Sequence, residues 1–585
     1  MRIVLKNLRG KDWLCLLISA VFIVAQVWLD LRLPDYMSEI TTLVQTPGSP
    51  VQSVMTAGFW MLACALGSLA ASVVTGFFVA RVGAVLAMRL RWSVFERTME
   101  FSLEEMSRFS APSLITRCTN DVTQVQNFVT LGLQMLIKAP ITAIWAIRKI
   151  AGKNMFWTVT TVATIAGMVL LIFVILLLTL PKTVRVQKLT DDLNGVTREH
   201  LTGIRVVHAY DAYAFGQNRF DAVNDELTAK NLFVNRAMAL LSPATSFLMN
   251  GLSLAIYFTG AFIIEVVSAG ERLPVFSEMV VFSSYATQVV SAFIYLIAIF
   301  FLLPRAIVSM NRISQVVRTK VHIQDGLCTA EDRPAPGTVE FRQVSFCYPG
   351  AKENALTDIS FTARPGETVA IIGATGCGKT TLLNLIPRLY DATEGTVLVG
   401  GRDVREYRLD TLRGQLGYVP QKNQLFSGTI ADNINYGDNG RFEATLREIK
   451  AAAEVGQARE FIEKKAEAYQ ARVAQGGANF SGGQKQRLAI ARAVCRDPEI
   501  FLFDDSFSAL DYKTDKALRE SLRRAAGNAT ILIVAQRIST IRNADRIIVL
   551  DEGRIVGQGR HDELMKTCPV YHEIALSQLS EKEAT

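Results

Sequence analysis

The sequence predicts two domains of different class: a membrane all-α domain of six transmembrane helices, then a soluble α/β domain. Three observations carry this. Residues 13–33, 54–80, 133–152, 156–180, 243–268 and 277–303 are each rich in Leu, Ile, Val, Phe and Ala, and each reaches the roughly 20 residues that cross a hydrocarbon core of about 30 Å. No such stretch recurs after residue 340. Beyond it, β-branched and apolar runs at 368–372, 500–503 and 531–534 alternate with helical stretches, the pattern of a partly parallel sheet. A chain of 585 residues also exceeds what one core organises.

The first span follows Arg2, Lys6, Arg9 and Lys11, the charge pattern of a signal peptide. It is long and lacks a small-residue cleavage site, so it reads as a retained helix. Residues 33–80 carry no Lys or Arg, whereas the next loop carries Arg81, Arg89, Arg91, Arg97, Arg108 and Arg117. The positive-inside tendency then places the first connection outside, the second in the cytoplasm and, after six spans, both termini in the cytoplasm. Spans two and three, and again four and five, are separated by roughly 50 residues, too many for a simple turn. Helical apolar spacing at 90–99 and 193–207 marks these as cytoplasmic continuations of the membrane helices. External connections are shorter, as at Gly152-Lys153-Asn154.

The net charge of +8 is spread over membrane-flanking loops and the soluble domain, so topology rather than nucleic-acid binding explains it. Eight scattered cysteines, from Cys15 to Cys568, form no CxxC pair; they read as isolated thiols, not a disulfide framework or zinc site. Charged residues with Pro334 and Pro336 break the pattern at 326–337 and read as a linker. The expected boundaries are 1–320 for the membrane domain, 321–337 for the linker and 338–585 for the soluble domain with its C-terminal tail.

Gly373-Ala-Thr-Gly-Cys-Gly-Lys-Thr380 follows an apolar strand and precedes a helical run from Thr381, the setting of a phosphate-binding loop. Its glycines let backbone N–H groups wrap phosphates. Gly373, Thr375, Gly376, Cys377, Gly378 and Thr381 are therefore assigned to nucleotide, Lys379 to the β- and γ-oxygens, and Thr380 to Mg²⁺. Asp504 ends the 500–503 run, where it can hold the Mg²⁺ shell or serve only as a turn residue. Between these lies Asn479-Phe-Ser-Gly-Gly-Gln-Lys-Gln-Arg487. The order and spacing resemble the nucleotide-binding domain of ABC transporters, with this last stretch as the signature motif.

That resemblance implies an ABC-type P-loop ATPase domain using ATP and Mg²⁺. Tyr348 is similar to the family's adenine-stacking aromatic, Gln421 to the glutamine that senses Mg²⁺ and nucleotide, and Ser508-Ala-Leu-Asp511 to its D-loop. It also implies two domains sandwiching two ATP molecules. Ser481, Gly482, Gly483, Gln484 and Asp511 would then serve the partner's ATP, with the helix after Ser481 presenting backbone donors and a positive dipole to phosphate. Phe480 replaces the common leucine.

Two catalytic positions depart from the family pattern. The residue after the Walker B aspartate is usually Glu, but Asp505 is one methylene shorter, and a displacement of about 1 Å can cost about 10²-fold in rate. Gln536 stands where the family has His; it can bond a phosphate but cannot become cationic. The expectation is a site that binds ATP and hydrolyses it poorly. Both changes fall on this chain's own site while its signature is kept, which resembles the degenerate-site chain of heterodimeric bacterial exporters. The bland alternative is tolerated drift in an active homodimer.

The membrane half is similar to the exporter-type six-helix domain at Leu33-Pro34, Leu114–Asp121 and Arg198–Val207. By that likeness, 109–114 and 210–216 lie near the short coupling helices. For cargo, Ser246, Asn250, Ser253 and Tyr257 form a polar stripe on span five, and Ser284, Gln288, Ser291 and Tyr295 another on span six. Such stripes avoid lipid and face either a wet cavity or a neighbouring helix. Arg148 on span three is a further cargo candidate, while Lys138 is placed to snorkel. The aromatic residues Phe59, Trp60, Phe77, Phe78, Trp145, Phe247 and Phe293 read as lipid-facing or packing surface.

The combined expectation is an ATP-driven exporter of a lipophilic or amphipathic small molecule in a bacterial cytoplasmic membrane. It pairs with an unlike half-transporter carrying Glu and His at the two catalytic positions. Multidrug or lipid-like cargo is a family expectation, and no peptidase-like extension precedes the first span. The alternatives are a homodimeric exporter, an exporter-fold importer and an ATP-gated regulator without transport.

Overall fold

The computed structural model describes residues 6–46, 48–151, 153–268, 272–329, 333–437, 443–508 and 510–578. Arg2, Gly152 and Ala509, used in the sequence reading, lie outside these, as does the last part of the tail. The chain divides into two compact units, 1–99 with 112–318 and 100–111 with 319–585.

In the first unit the apolar stretches form the middle of six helices: α1 Gly10–Gln45, α2 Val51–Met99, α3 Ala111–Ile150, α4 Met155–Thr202, α5 Tyr213–Val266 and α6 Arg272–Arg318. At 1.5 Å per residue the 49-residue α2 runs about 74 Å, more than twice the hydrocarbon thickness. Only 17–31% of each apolar window is buried. The outward Leu, Val and Phe side chains therefore need an apolar solvent, while each helix satisfies its backbone internally. The buried side is built on Trp157, Phe282, Tyr285 and Met168, with the Trp157 indole donating to Thr259 Oγ1 at 3.0 Å.

α3 departs from regular geometry. It winds as π-helix at Arg117–Asp121 and Phe128–Gly132, extra-residue turns that re-aim side chains. The first carries a buried polar cluster. Asp121 accepts from Ser309 Oγ at 2.9 Å and pairs with Arg312 at 3.3 Å, while Arg117 donates to the Arg312 carbonyl at 2.9 Å.

The second unit holds a four-stranded sheet, a six-stranded one and a short antiparallel pair of Gly428–Thr429 with Arg472–Val473. The strands of the two larger sheets are β1 Val339–Phe346, β2 Leu356–Ala363, β3 Thr368–Gly373, β4 Glu394–Val399, β5 Arg402–Asp403, β6 Leu416–Val419, β7 Ile500–Asp504, β8 Thr530–Val534, β9 Arg546–Asp551 and β10 Arg554–Gly559. The smaller sheet runs β2-β1-β4-β5 and the larger β10-β9-β3-β8-β7-β6. In the larger, β9, β3, β8, β7 and β6 are mutually parallel and β10 is antiparallel. Alternate residues of its central strands enter different cores: Ile371, Leu502, Leu532 and Ile548 one, Ile372, Phe503, Ile533 and Val549 the other. Both faces are covered, as a parallel sheet requires.

One element of this unit comes from between α2 and α3. The helix Leu103–Arg108 is capped by Ser102, with Glu105 returning to the Ser102 N–H, a capping box legible as Ser-x-x-Glu. It directly precedes 109–114, the segment expected to lie near a coupling helix. Glu105 is fully buried and also accepts from His322 N at 3.1 Å and meets His322 Nδ1 at 2.9 Å. Burial alone would raise this carboxyl, but bonds from Ser102 and His322 hold it at about 2, below its ordinary 4.5. A depressed pKa stabilises fully above 4.5 and loses that contribution as pH falls toward 2. Hydrogen exchange should therefore show the 103–108 amides losing protection between pH 5 and about 3. In Glu105→Gln they should already be loose at pH 7; unchanged protection in that variant would remove the carboxylate from the account.

The start of the segment expected as a linker is packed on this unit, with Gly326 N donating to the Tyr407 carbonyl at 2.8 Å and Cys328 N to that of Glu406 at 2.8 Å, while its residues 330–332 lie outside the described residues.

Candidate nucleotide site

The loop after β3 turns through two left-handed glycines, Gly376 (φ 89°) and Gly378 (φ 99°). At Gly378 a Cβ would lie 2.7 Å from the Ala355 carbonyl oxygen, so only glycine fits. Helix α7, Lys379–Leu385, starts immediately after it, which aims unpaired N–H groups into the loop. Ala374, Thr375 and Gly376 form its exposed crest, and Cys377 is buried beneath. Lys379 is buried and donates through Nζ to the carbonyls of Gly373 (2.9 Å) and Ala374 (2.7 Å). Thr380 Oγ1 donates to Asp504 Oδ1 at 2.9 Å, bringing the hydroxyl and carboxylate assigned to the metal together. Tyr348 OH meets Thr381 Oγ1 at 2.8 Å, and its ring is held edge-on by Phe346 and Tyr390.

Asp505 and Gln536 touch each other. The Gln536 amide Nε2 donates to Asp505 Oδ2 at 2.9 Å. Asp505 takes a left-handed backbone, φ 48°, which Asp tolerates better than most residues. Burial pushes the carboxyl up from its usual range, against hydrogen bonding by Gln421 and the charge of Lys379. A carboxylate held by an amide has fewer lone pairs free to take a proton from water.

Sequence reasoning missed Gln578. On the C-terminal helix Pro569–Gln578, its amide accepts from Ile538 N at 2.9 Å and donates to the Gln536 carbonyl at 2.8 Å, clamping the loop that carries Gln536. No local motif marks it, because a two-bond tether 42 residues away in sequence leaves no spacing signal. Gln578→Ala should remove both bonds, at about 0.5–1.5 kcal/mol each, and speed amide exchange at 535–541 about tenfold. Exchange at the wild-type rate would mean the loop is held otherwise.

Ser481 caps helix α8, Gly482–Cys495, accepting from Gln484 N at 3.3 Å while Ser481 N donates to Gln484 Oε1 at 3.0 Å. Gly482 and Gly483 form its first turn, with no heavy atom within 4 Å of where a Gly482 Cβ would stand. Beneath, Phe480 joins Leu425, Ile430 and Leu488 in a core separate from the two sheet cores. The signature and the phosphate loop therefore rest on different packing units. Asp511 caps the helix Tyr512–Ala526, accepting from Thr514 N at 2.9 Å.

In the membrane unit, Ser246, Asn250 and Tyr257 on α5 are exposed and Ser253 is half-buried. On α6, Ser284, Gln288 and Ser291 are half-buried and Tyr295 is exposed, with Ser291 donating to its own helix at Thr287. Arg148 is exposed and lines a cavity with Trp28, Leu31, Arg32, Trp145 and Lys149.

A nucleotide-binding domain of this build, on one chain with six membrane helices, defines an ATPase-coupled membrane transporter subunit. The chain belongs to the ABC transporter family and is an exporter-type half-transporter. Residues 356–508 match the ABC transporter family model and 16–305 the ABC transporter transmembrane region. It is 40% identical over 521 residues to an uncharacterized ABC transporter ATP-binding protein of Mycobacterium tuberculosis, covering 88% of this chain and 86% of that one. It is 30% identical over 537 residues to the ATP-dependent lipid A-core flippase of Aromatoleum aromaticum, covering 92% and 86%. Its fold is similar to a bacterial Atm1-family ABC exporter with ATP bound, with a TM-score of 0.77 and 25% identity over 98% of both chains.

Proposed function

We propose that this chain is the degenerate-site half of a heterodimeric exporter. It lies in a bacterial cytoplasmic membrane with both termini in the cytoplasm, and it moves an amphipathic or lipid-like small molecule outward. The observation that carries the reading is the Gln536–Asp505 hydrogen bond at 2.9 Å. The two departures from the family pattern are one unit, in which the switch side chain occupies the shortened base. The signature, built on its own core, keeps the capped helix start that the partner's ATP needs.

Thr380 and Asp504 suit Mg²⁺: one hydroxyl and one buried carboxylate already lie within 2.9 Å, oxygen donors of the kind that ion takes. When bound, Mg²⁺ neutralises charge on the phosphates. The chain's own part is to wrap phosphate oxygens with the loop amides, place Lys379 beside them and hold Gln421 near the reacting end. Gln536 and Asp505 hold each other, so water is poorly oriented and nucleotide stays. The α5 and α6 stripes are proposed to face the cargo path; Ser246, Asn250 and Gln288 make no interhelix bond among the described residues.

Purification of the tagged chain from its host in mild detergent, with the co-purifying chain sequenced by mass spectrometry, tests the pairing. A similar-sized half-transporter with Glu and His at the two positions is expected. Recovery of this chain alone as a rapidly hydrolysing homodimer would sink the reading.

A further inference from the structure

Where α1 and α3 meet, near the C-terminal end of α3, lies a cluster used neither by the nucleotide site nor by the polar stripes. The cavity there, about 320 Å³, is lined by Trp28, Leu31, Arg32, Trp145, Arg148 and Lys149. One of its three cations is matched: Lys149 Nζ meets Asp35 Oδ2 at 2.6 Å, and Asp35 is fixed in turn by Tyr285 OH. Lys138 is also matched, by Asp30 at 3.7 Å. Arg32 lies over the Trp28 ring at 5.1 Å. Among the described residues, neither Arg32 nor Arg148 has a carboxylate within ion-pair distance. Two positive charges thus remain beside two indoles.

On the topology proposed above, this is the non-cytoplasmic end of α3 and of the apolar stretch 13–33 within α1. That side is poor in cations, with no Lys or Arg between residues 33 and 80, as the positive-inside tendency demands. Three cations gathered at one spot there run against that tendency, so topology does not account for them. The chemistry present is specific. Indole rings settle at the headgroup level, and a guanidinium fork matches phosphate oxygens in two parallel bonds. The volume suits a headgroup with its glycerol, leaving acyl chains in the bilayer.

We propose that this cavity binds the phosphate of an anionic phospholipid of the outer leaflet. Arg32 and Arg148 take the phosphate oxygens, and Trp28 and Trp145 pack on the glycerol and first methylenes. The inference rests on the proposed topology.

The test is tryptophan quenching in the assembled transporter, uniformly oriented in vesicles, by brominated phosphatidylglycerol against equally brominated phosphatidylcholine. The Trp28→Phe/Trp145→Phe variant supplies the background. With about fivefold in affinity per cation, the anionic lipid should quench at a mole fraction at least about fivefold lower. Arg32→Gln/Arg148→Gln should abolish that preference, and Arg32→Lys/Arg148→Lys should keep the share that net charge supplies while losing the share of the guanidinium fork, which separates charge from misfolding. Equal quenching by both lipids in the wild type reduces the cluster to an interfacial belt and overturns the proposal. Displacement of the bromolipid by millimolar glycerol phosphate would make the ligand a soluble phosphate and also overturn it. A preference seen only when bromolipid is confined to the opposite leaflet would overturn the topology, leaving phosphate recognition by Arg32 and Arg148 intact.

Discussion

Asp505→Glu combined with Gln536→His should raise ATP turnover at this chain's own site by up to about 10²-fold, the cost attributed to a misplacement of roughly 1 Å. The gain needs both changes. Glu alone restores reach but leaves Gln536 beside the carboxylate, where its amide now bonds Asp505 at 2.9 Å; His alone leaves a base too short. The assay is phosphate release from the assembled complex in a Ser481→Arg background, which silences the site that borrows this chain's signature and leaves only the site of interest. The product of the two single-variant gains should fall short of the double variant's gain, since groups in contact are coupled. If the double variant binds nucleotide yet turns over at the starting rate, another element limits hydrolysis.

Lys379→Ala should weaken ATP binding at this site about 10–100-fold, the range for losing a charge-assisted bond of about 1.5–3 kcal/mol. The fold should survive, because the lysine ties only its own loop, through the carbonyls of Gly373 and Ala374. Equilibrium binding of a fluorescent ATP analogue, with a thermal melt as control, measures both. Unchanged affinity would mean the loop amides alone hold the phosphates.

The phosphate loop and the signature were legible because each is a run of neighbours whose backbone shape needs those residue types, as at Gly378 and Ser481. The six spans were legible as length and composition. Three things were not. The Arg117–Asp121–Arg312 cluster joins residues nearly two hundred positions apart, and the π turn beneath it has no propensity signal. Gln578 reaches the switch loop from the end of the chain. The contact between Asp505 and Gln536 is invisible as well, since sequence shows two odd residues and only the end-by-end arrangement of β7 and β8, paired at Asp504 and Val534, makes them one.

The helix Leu103–Arg108 belongs to the compact unit of residues 319–585 although the chain writes it between two membrane helices. A soluble fragment begun near residue 321 would contain every ATP motif and still be missing a part of itself. His322 would lose the buried carboxylate that both its backbone N–H and its ring nitrogen meet. Affinities and melting points measured on such a fragment would describe a notched body, and a peptide of residues 100–111 is the piece that completes it.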